Sequence, residues 1–576
     1  MATLTKLQEQ LLKIRHLAEE REAQRKAERV RLNYLDVSTA PVKVDVLRLI
    51  PEERARRVRV AAFELKKPQL ALAVYDPENP ETQKIIKEFE AQSFEVKIFV
   101  SSLRGLEHIW SFYKFVLPEK PPITSRVNIE KERVIRLTQE LTSLVNVGKA
   151  IANFDFGAAS VTEFLEIALA GALANRASDI HFEPEEKVVK LRYRIDGLLH
   201  DVYAKLSREF YPSAVSRIKL LSNLKINVSD RPQDGRFTIG LPTKDIELRV
   251  ALAPSEFGEI IVMRVLDPDA INLSLEQLGL RSDDLEIIQT ELKRPNGMIL
   301  NTGPTGSGKT TTLYAFLKSK ASPEIKIITI EDPIEYHLEG IEQTQVDEEA
   351  EYTFLNGLKS IMRQDPDVIL IGEVRDKDTA EIAIQAALTG HLVFSTVHAN
   401  EAAGAIPRLT DLGVKPSSIG PALNLIIAQR LVRRLCEACK APEPVNYDIK
   451  AKIKAFFEHL PKRVNRADYG TITLFKPKGC AKCNQSGYKG RVAIMELLLN
   501  DPDYERILKG ESKYELSAER DLEELIAKQA GESELRKYAL GQGMVTMQED
   551  GILKVIKGIT TLAEVEEITG PIKWGL

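Results

Sequence analysis

The residues best equipped for chemistry lie between Gly303 and Thr310, in the run Gly-Pro-Thr-Gly-Ser-Gly-Lys-Thr. Gly303, Gly306 and Gly308 allow backbone N–H groups to turn inward around phosphate oxygens, with Pro304, Thr305 and Ser307 completing the loop. Lys309 supplies a point charge for the β- and γ-phosphates, Thr310 a hydroxyl for Mg²⁺, and Thr311 continues into a helix. The apolar run Met298–Asn301 reads as a strand, and Thr311–Lys318 as the helix that follows. That strand–loop–helix order is what a phosphate-binding loop requires, because the helix N-terminus adds its dipole to the N–H groups.

Three more runs fit the same purpose. Ile327–Glu331 is an apolar strand ending in Glu331-Asp-Pro-Ile-Glu335. Carboxylates at the carboxyl end of a parallel strand sit where such sheets hold ligands, so one of these can polarise an attacking water. An acidic loop that merely caps the strand is the competing reading. Asp367–Glu373 reads as a buried parallel strand ending in Glu373, a carboxylate for Mg²⁺ or its water. Leu392–Thr396 is a fourth strand, bracketed by His391 and His398, both candidate sensors of the γ-phosphate.

A different chemistry attaches to the cysteines. The chain has four, arranged as Cys436-x-x-Cys439, 40 intervening residues, and Cys480-x-x-Cys483. Two pairs that use every thiol predict a tetrahedral Cys₄ zinc site. A closed shell leaves no position for substrate, so the metal is expected to brace the fold.

These residues must be positioned by a chain of 576 residues, too long for one core. Residues 1–35 are charged and helical in character, with a seam of Leu4, Leu7, Leu11 and Ile14 that fades after two heptads and favours a solvated helix. Residues 36–120 read as a small α/β module, with strands at Arg59–Phe63, Leu70–Val74 and Phe94–Val100 and a helix over Glu81–Gln92. The breaker-rich run Leu117–Ile123 straddles the boundary to a linker and helix over 121–157, the helix predicted at Ile129–Ala152. Residues 158–272 form a second module. It has helices at Val161–Ala174 and Tyr211–Leu224 and strands at Ile180–Glu183, Val188–Ile195, Asp245–Leu252 and Glu259–Leu266. From 273 to 576 the alternation of strand, loop and helix is that of a nucleotide-binding domain, with the cysteine module at 430–495 and a helical tail from about Tyr504.

Composition narrows the function. The chain is 43% hydrophobic and 28% charged, with a net charge of −4, so nothing global favours nucleic acid. No apolar run approaches the roughly 18 residues of a membrane span, and the first residues lack a signal-peptide core. A cytoplasmic protein is expected, with membrane contact only through partners.

Together the motifs resemble the secretion-superfamily ATPases of the type IV pilus assembly and type II secretion branch. Ala177-Ser-Asp-Ile-His-Phe-Glu-Pro184, Tyr193–Gly197 and Pro232–Arg236 look like segments of that family's second N-terminal domain. Glu331–Glu335 resembles its aspartate box, Asp367–Glu373 its Walker B segment, and Thr389–Asn400 its histidine box. The cysteine pairs, followed by Gly487–Arg491, resemble its tetracysteine region and separate the chain from retraction-type pilus ATPases.

The resemblance implies a RecA-like phosphate-loop ATPase core, a PAS-like α/β second N-terminal domain, a small α/β N-terminal domain and a Cys₄ zinc module. It implies Glu331 as the water-activating base with Glu335 as second candidate, and Glu373 in the Walker B role. It further implies that Arg249 and Arg264 are arginine fingers, that the chain forms a homo-hexamer, and that an inner-membrane platform protein is its partner. ATP, Mg²⁺ and Zn²⁺ are the implied cofactors. Pilin polymerisation is the expected work, with type II secretion as the alternative. A nucleic-acid motor and a scaffold without turnover are the rival classes, opposed by the acidic balance and by intact Lys309, Glu331 and Glu373.

Overall fold

The computed structural model describes residues 18–36, 42–66, 68–91, 94–115, 126–127, 131–156, 160–241, 244–270, 273–470, 472–500 and 522–574. The heptad seam at Leu4–Ile14 and the linker at Leu117–Ile123 lie outside them. Two compact units emerge, Met1–Ile123 and Thr124–Leu576.

In the first unit, residues 18–29 are helical. Its four-stranded sheet runs in the order Asn33–Tyr34, Glu95–Val100, Gln69–Val74, Val60–Lys66, with only the last pair antiparallel. The strand predicted from Arg59 begins one residue later, because Arg59 is in the left-handed conformation (φ 59°) that ends the helix Glu52–Val58. The helix Pro80–Ala91 buries Ile85, Ile86 and Phe89 against the sheet.

The second unit opens with a seven-stranded sheet in the order Arg126–Val127, Gln233–Gly240, Asp245–Ser255, Gly258–Leu266, Asp179–Pro184, Val189–Ile195, Leu198–Leu206. The strands Leu198–Leu206 and Gln233–Gly240 are additions to those read from sequence. The single helix predicted over Ile129–Ala152 is two helices, Lys131–Glu140 and Leu144–Ala152. Ser143 causes the break: it is extended, and its hydroxyl accepts from Asn146 N, capping the second helix. The helix Val161–Ala174 buries Phe164 through Ala172 against this sheet, as its small apolar residues predict.

A second seven-stranded sheet carries the phosphate loop. Its strands are β1 (Gly297–Thr302), β2 (Ile327–Glu331), β3 (Glu342–Gln345), β4 (Val368–Ile371), β5 (Leu392–Val397), β6 (Leu423–Leu435) and β7 (Tyr488–Leu499). They lie in the order β3-β2-β4-β5-β1-β6-β7, parallel except for the β6–β7 pair. Both faces are covered: Leu300, Ile330, Ile371 and Val393 enter one core, Ile299, Leu370, Phe394 and Ile427 the other. This is why β1, β2, β4 and β5 read as continuous apolar runs.

The cysteine-bearing segment is inserted between neighbouring strands of this sheet, since Leu435 pairs with Tyr488. The stretch expected as a zinc module, 430–495, thus includes the ends of β6 and β7. The helix Tyr447–His459 of the insertion shares a core with the C-terminal helices Met547–Ile556 and Leu562–Thr569 through Ile453, Phe456, Ile552, Leu553 and Val565. The first described helix of the tail is Leu522–Ala527. Among the described residues, no helix is long and apolar enough to cross a membrane.

Candidate functional site

The loop Gly303–Thr310 leaves the carboxyl end of β1 at the middle of the sheet and enters helix α1 (Lys309–Lys320). Gly303, Gly306 and Gly308 have φ of 146°, 79° and 90°, a region costly for residues with a Cβ. Space is as restrictive as conformation at the two ends of the loop. A Cβ on Gly303 would lie 2.5 Å from the Gln429 carbonyl oxygen, and one on Gly308 2.8 Å from Gln429 Nε2. Pro304, Thr305 and Gly306 are exposed, Ser307 is buried, and Thr310 and Thr311 are half-buried at the start of α1. Lys309 Nζ donates to the carbonyls of Gly303 (2.8 Å) and Pro304 (3.1 Å), folding over the loop it belongs to. Burial pushes its ammonium below the usual lysine range; the Glu373 charge opposes that shift and the Arg430 charge adds to it. Arg430 lies against the loop as well, its Nη1 3.3 Å from where a Cβ on Gly303 would sit.

The carboxylates end neighbouring strands. Glu331, the last residue of β2, is 4% exposed and accepts from Thr329 Oγ1 (2.6 Å), Gln343 Nε2 (3.1 Å) and the Tyr314 hydroxyl. Glu335 lies in the loop beyond, where Arg249 Nη1 is 3.3 Å from its carboxylate. Glu373 follows β4 and is paired with Arg375, with His398 Nε2 3.6 Å away. Hard oxygen donors, the Thr310 hydroxyl and the Glu373 carboxylate, suit Mg²⁺, which keeps several of its waters.

The two histidines part company. His398 follows the carboxyl end of β5, beside the loop: Ala399 N donates to Thr302 Oγ1 (2.8 Å), and that hydroxyl donates to Ala399 O (2.9 Å). His391 precedes the amino end of β5, its carbonyl accepting from Gly297 N and its Nδ1 3.0 Å from Ala386 O. The expectation that His391 reads phosphate is corrected by strand polarity. Parallel pairing of β1 with β5 puts it at the opposite end of β1 from the loop, roughly 17 Å away at 3.3 Å per residue.

Arg249 and Arg264 are directly opposed on neighbouring antiparallel strands of the preceding sheet. Arg249 reaches Glu335 and donates from Nη2 to Ile334 O (2.5 Å), whereas Arg264 is 57% exposed and donates to Asp179 (3.1 Å). Burial above all, then Glu335 and Asp267, pushes the Tyr336 phenol up, while Arg249 and Arg264 pull it down. Arg249 thus contacts the acidic loop directly, and Arg264 is its neighbour on the adjoining strand.

Residues 155–520 match the family described as Type II/IV secretion system protein. The chain belongs to this family. It is 37% identical to the type IV pilus assembly ATPase PilB of Myxococcus xanthus, over 92% of this chain and 88% of that one. It is 42% identical to the type II secretion system ATPase E of Vibrio cholerae, over 71% of this chain and 76% of the relative. Among solved structures, the ATPase DotB of Yersinia pseudotuberculosis has a TM-score of 0.50 at 21% identity, covering 72% of this chain and 95% of that one, and shares the fold. The chain is a secretion-family ATPase with a mixed α/β core.

The cysteines of this secretion ATPase converge as well. All four Sγ atoms lie within 4.8 Å of one another, with separations of 3.9 Å (Cys436–Cys480), 3.8 Å (Cys439–Cys483) and 3.7 Å (Cys480–Cys483). A tetrahedron with Zn–S bonds of about 2.3 Å has edges of about 3.8 Å, so the donor set fits zinc. The spacing is far too long for disulfides. Backbone N–H groups of Cys480 and Gly487 donate to Cys483 Sγ at 3.2 and 3.3 Å, as a thiolate ligand requires. The insertion and the start of β7 also meet the helices and turns around the sheet that carries the arginines. Asn484 Oδ1 accepts from Leu144 N (2.9 Å), its Nδ2 donates to Asn175 (3.0 Å), and Gly490 N donates to Asp196 (2.8 Å).

Sequence reasoning missed the residues that hold the site from behind. Tyr314 and Gln343 hold Glu331, and Arg430 donates to Asn400 O (3.2 Å), two residues beyond His398. Gln429 bonds to the phosphate loop itself, through Ser307 O. Its signal was a polar side chain interrupting the apolar run Leu425–Ala428.

Proposed function

We propose that this ATPase powers pilin polymerisation in type IV pilus assembly. The observation that carries the reading is the extent of the match to the pilus assembly relative, which runs through the N-terminal unit and covers 92% of the chain. In this reading the loop Gly303–Thr311 binds the triphosphate, and Lys309 neutralises its terminal phosphates. Glu331 takes the proton of the attacking water, with Glu335 as the second candidate; His398 responds to the γ-phosphate. Thr310 and Glu373 hold Mg²⁺, which would supply positive charge to the β- and γ-oxygens. Arg249 and Arg264 stabilise the charge that develops on the transferred group. The four cysteines hold a zinc ion that braces the insertion.

The resemblance supports a homo-hexameric ring at the cytoplasmic face of the inner membrane, acting on a platform protein without direct nucleic-acid contact. Domain modules, in this reading, are residues 36–120, 158–272 and 273–576. Hydrolysis would then rotate the second N-terminal domain against the ATPase core as a rigid body. The type II secretion relative is more identical but over a shorter stretch, and favours a second reading, pseudopilus assembly and protein export. A strain lacking the gene separates the two. Loss of surface pili with exoprotein secretion intact, restored by the wild-type chain and not by Lys309→Ala, supports pilus assembly; lost secretion with intact pili supports export.

A further inference from the structure

We infer that Gln429 is a positioning residue for the nucleotide, acting through the phosphate loop. This rests on the reading of the loop as an ATP site and assigns a role to a strand that the motif does not include. Gln429 lies on β6, beside β1, and is 2% exposed. Its Nε2 donates to Ser307 O (2.9 Å), inside the loop. Its Oε1 accepts from Asn301 Nδ2 (3.1 Å), on β1 before the loop, and from Thr312 Oγ1 (2.9 Å), on α1 after it. One buried amide thus ties together the strand, the loop and the helix that a triphosphate must find in register. The glycines at the loop ends are shaped around the same residue, since a Cβ on Gly303 or Gly308 would strike its carbonyl oxygen or its Nε2.

A phosphate loop binds through several N–H groups at once, so its affinity depends on how well they are held before the ligand arrives. Carbonyl 307 is the only loop carbonyl among the described bonds to be held by a side chain of another strand; Gly303 and Pro304 are held by Lys309. Without Gln429, Ser307 O is buried without that donor, and Asn301 and Thr312 lose a shared acceptor. The peptide planes at 306–308 are then free to rotate, and Lys309 and Thr310, which follow directly, lose their register. Such a loss weakens ground state and transition state alike, which raises KM more than it lowers kcat.

Three variants test this. Gln429→Glu keeps the shape and the oxygen that accepts from Asn301 and Thr312 but puts a second oxygen against Ser307 O, Gln429→Leu removes all three bonds, and Thr312→Val removes one with little change of volume. KM for ATP and Kd for MgADP are expected to rise together, about tenfold for the Gln429 variants and about threefold for Thr312→Val, with kcat within about threefold of wild type. The melting temperature of nucleotide-free protein stays near wild type for Thr312→Val, while its upward shift on adding MgADP shrinks. KM and Kd unchanged in Thr312→Val and in every folded Gln429 variant overturn the inference, as does a fall in kcat at constant KM. Thr312→Val decides the matter should either Gln429 variant fail to fold. Wild-type protein that hydrolyses no ATP would instead sink the ATPase reading itself, a result these variants do not mimic.

Discussion

The carboxylates around the loop differ in how they are held, and that difference assigns them different tests. Glu331 is enclosed by Tyr314, Thr329 and Gln343, a setting that fixes one geometry for a proton acceptor. Glu335 is engaged by Arg249. Glu331→Gln is expected to lower kcat by about 100-fold or more while MgADP binding stays within a few-fold, the signature of a lost general base. Should Glu335→Gln show that pattern and Glu331→Gln not, the roles are reversed. Lys309→Ala should abolish steady-state hydrolysis and weaken nucleotide binding, read by titration with a fluorescent nucleotide. At this scale the loop was legible because glycine, lysine and threonine spacing is dictated by phosphate geometry. His391 was misread although the sequence held the answer. Two histidines at opposite ends of one six-residue strand cannot share a ligand the size of a phosphate.

Elements bring these residues together, and two of them carry stabilising devices that local sequence hides. The first is the cysteine insertion, whose loop places Asn484 between Leu144 N and Asn175. Zinc analysis is expected to give about one ion per chain, falling to near zero in Cys483→Ser. Because Cys483 directly precedes Asn484, chelation should also speed hydrogen exchange at residues 144–147; unchanged exchange there after zinc loss would count against the coupling. The second device is a buried charge cluster. Arg281 contacts Asp283, Asp284 and Asp550, Arg463 contacts Asp283 and Asp284, and Lys554 contacts Asp550, all nearly excluded from water. Arg281→Met takes one partner from each of three buried carboxylates and is expected to cost about 3–5 kcal/mol, measured by denaturant unfolding. Strands β1, β2, β4 and β5 were readable from their apolar runs. The β6–β7 pairing and this cluster were not, because each depends on partners far away in sequence: Arg281 and Asp550 are 269 residues apart.

At the scale of the whole molecule the question is which chain's arginines serve which nucleotide. Arg249 already lies on the acidic loop of its own chain, bonded to Ile334 O and paired with Glu335, and Arg264 is its cross-strand neighbour. On the proposed reading of these two residues as arginine fingers, that arrangement predicts action in cis: closure of the arginine-bearing sheet onto the ATPase core would carry both toward the loop that the same chain provides. A ring of about six times the 64.6 kDa chain mass, seen by light scattering with MgATP analogue, would supply the neighbours without supplying the fingers. Arg249→Ala and Arg264→Ala should each lower kcat by about 1,000-fold or more, the range measured for arginine fingers in phosphoryl transfer. Mixing decides the direction. Co-assembled Lys309→Ala and Arg249→Ala chains each lack one half of a site. If the finger acts in cis, no site in the mixed ring is complete and activity stays at the sum of the two parents. Were the finger donated across the ring, some interfaces would pair an intact loop with an intact arginine. Activity would then rise well above that sum, and the closing motion would have to be assigned to the joint between chains rather than to the joint within one.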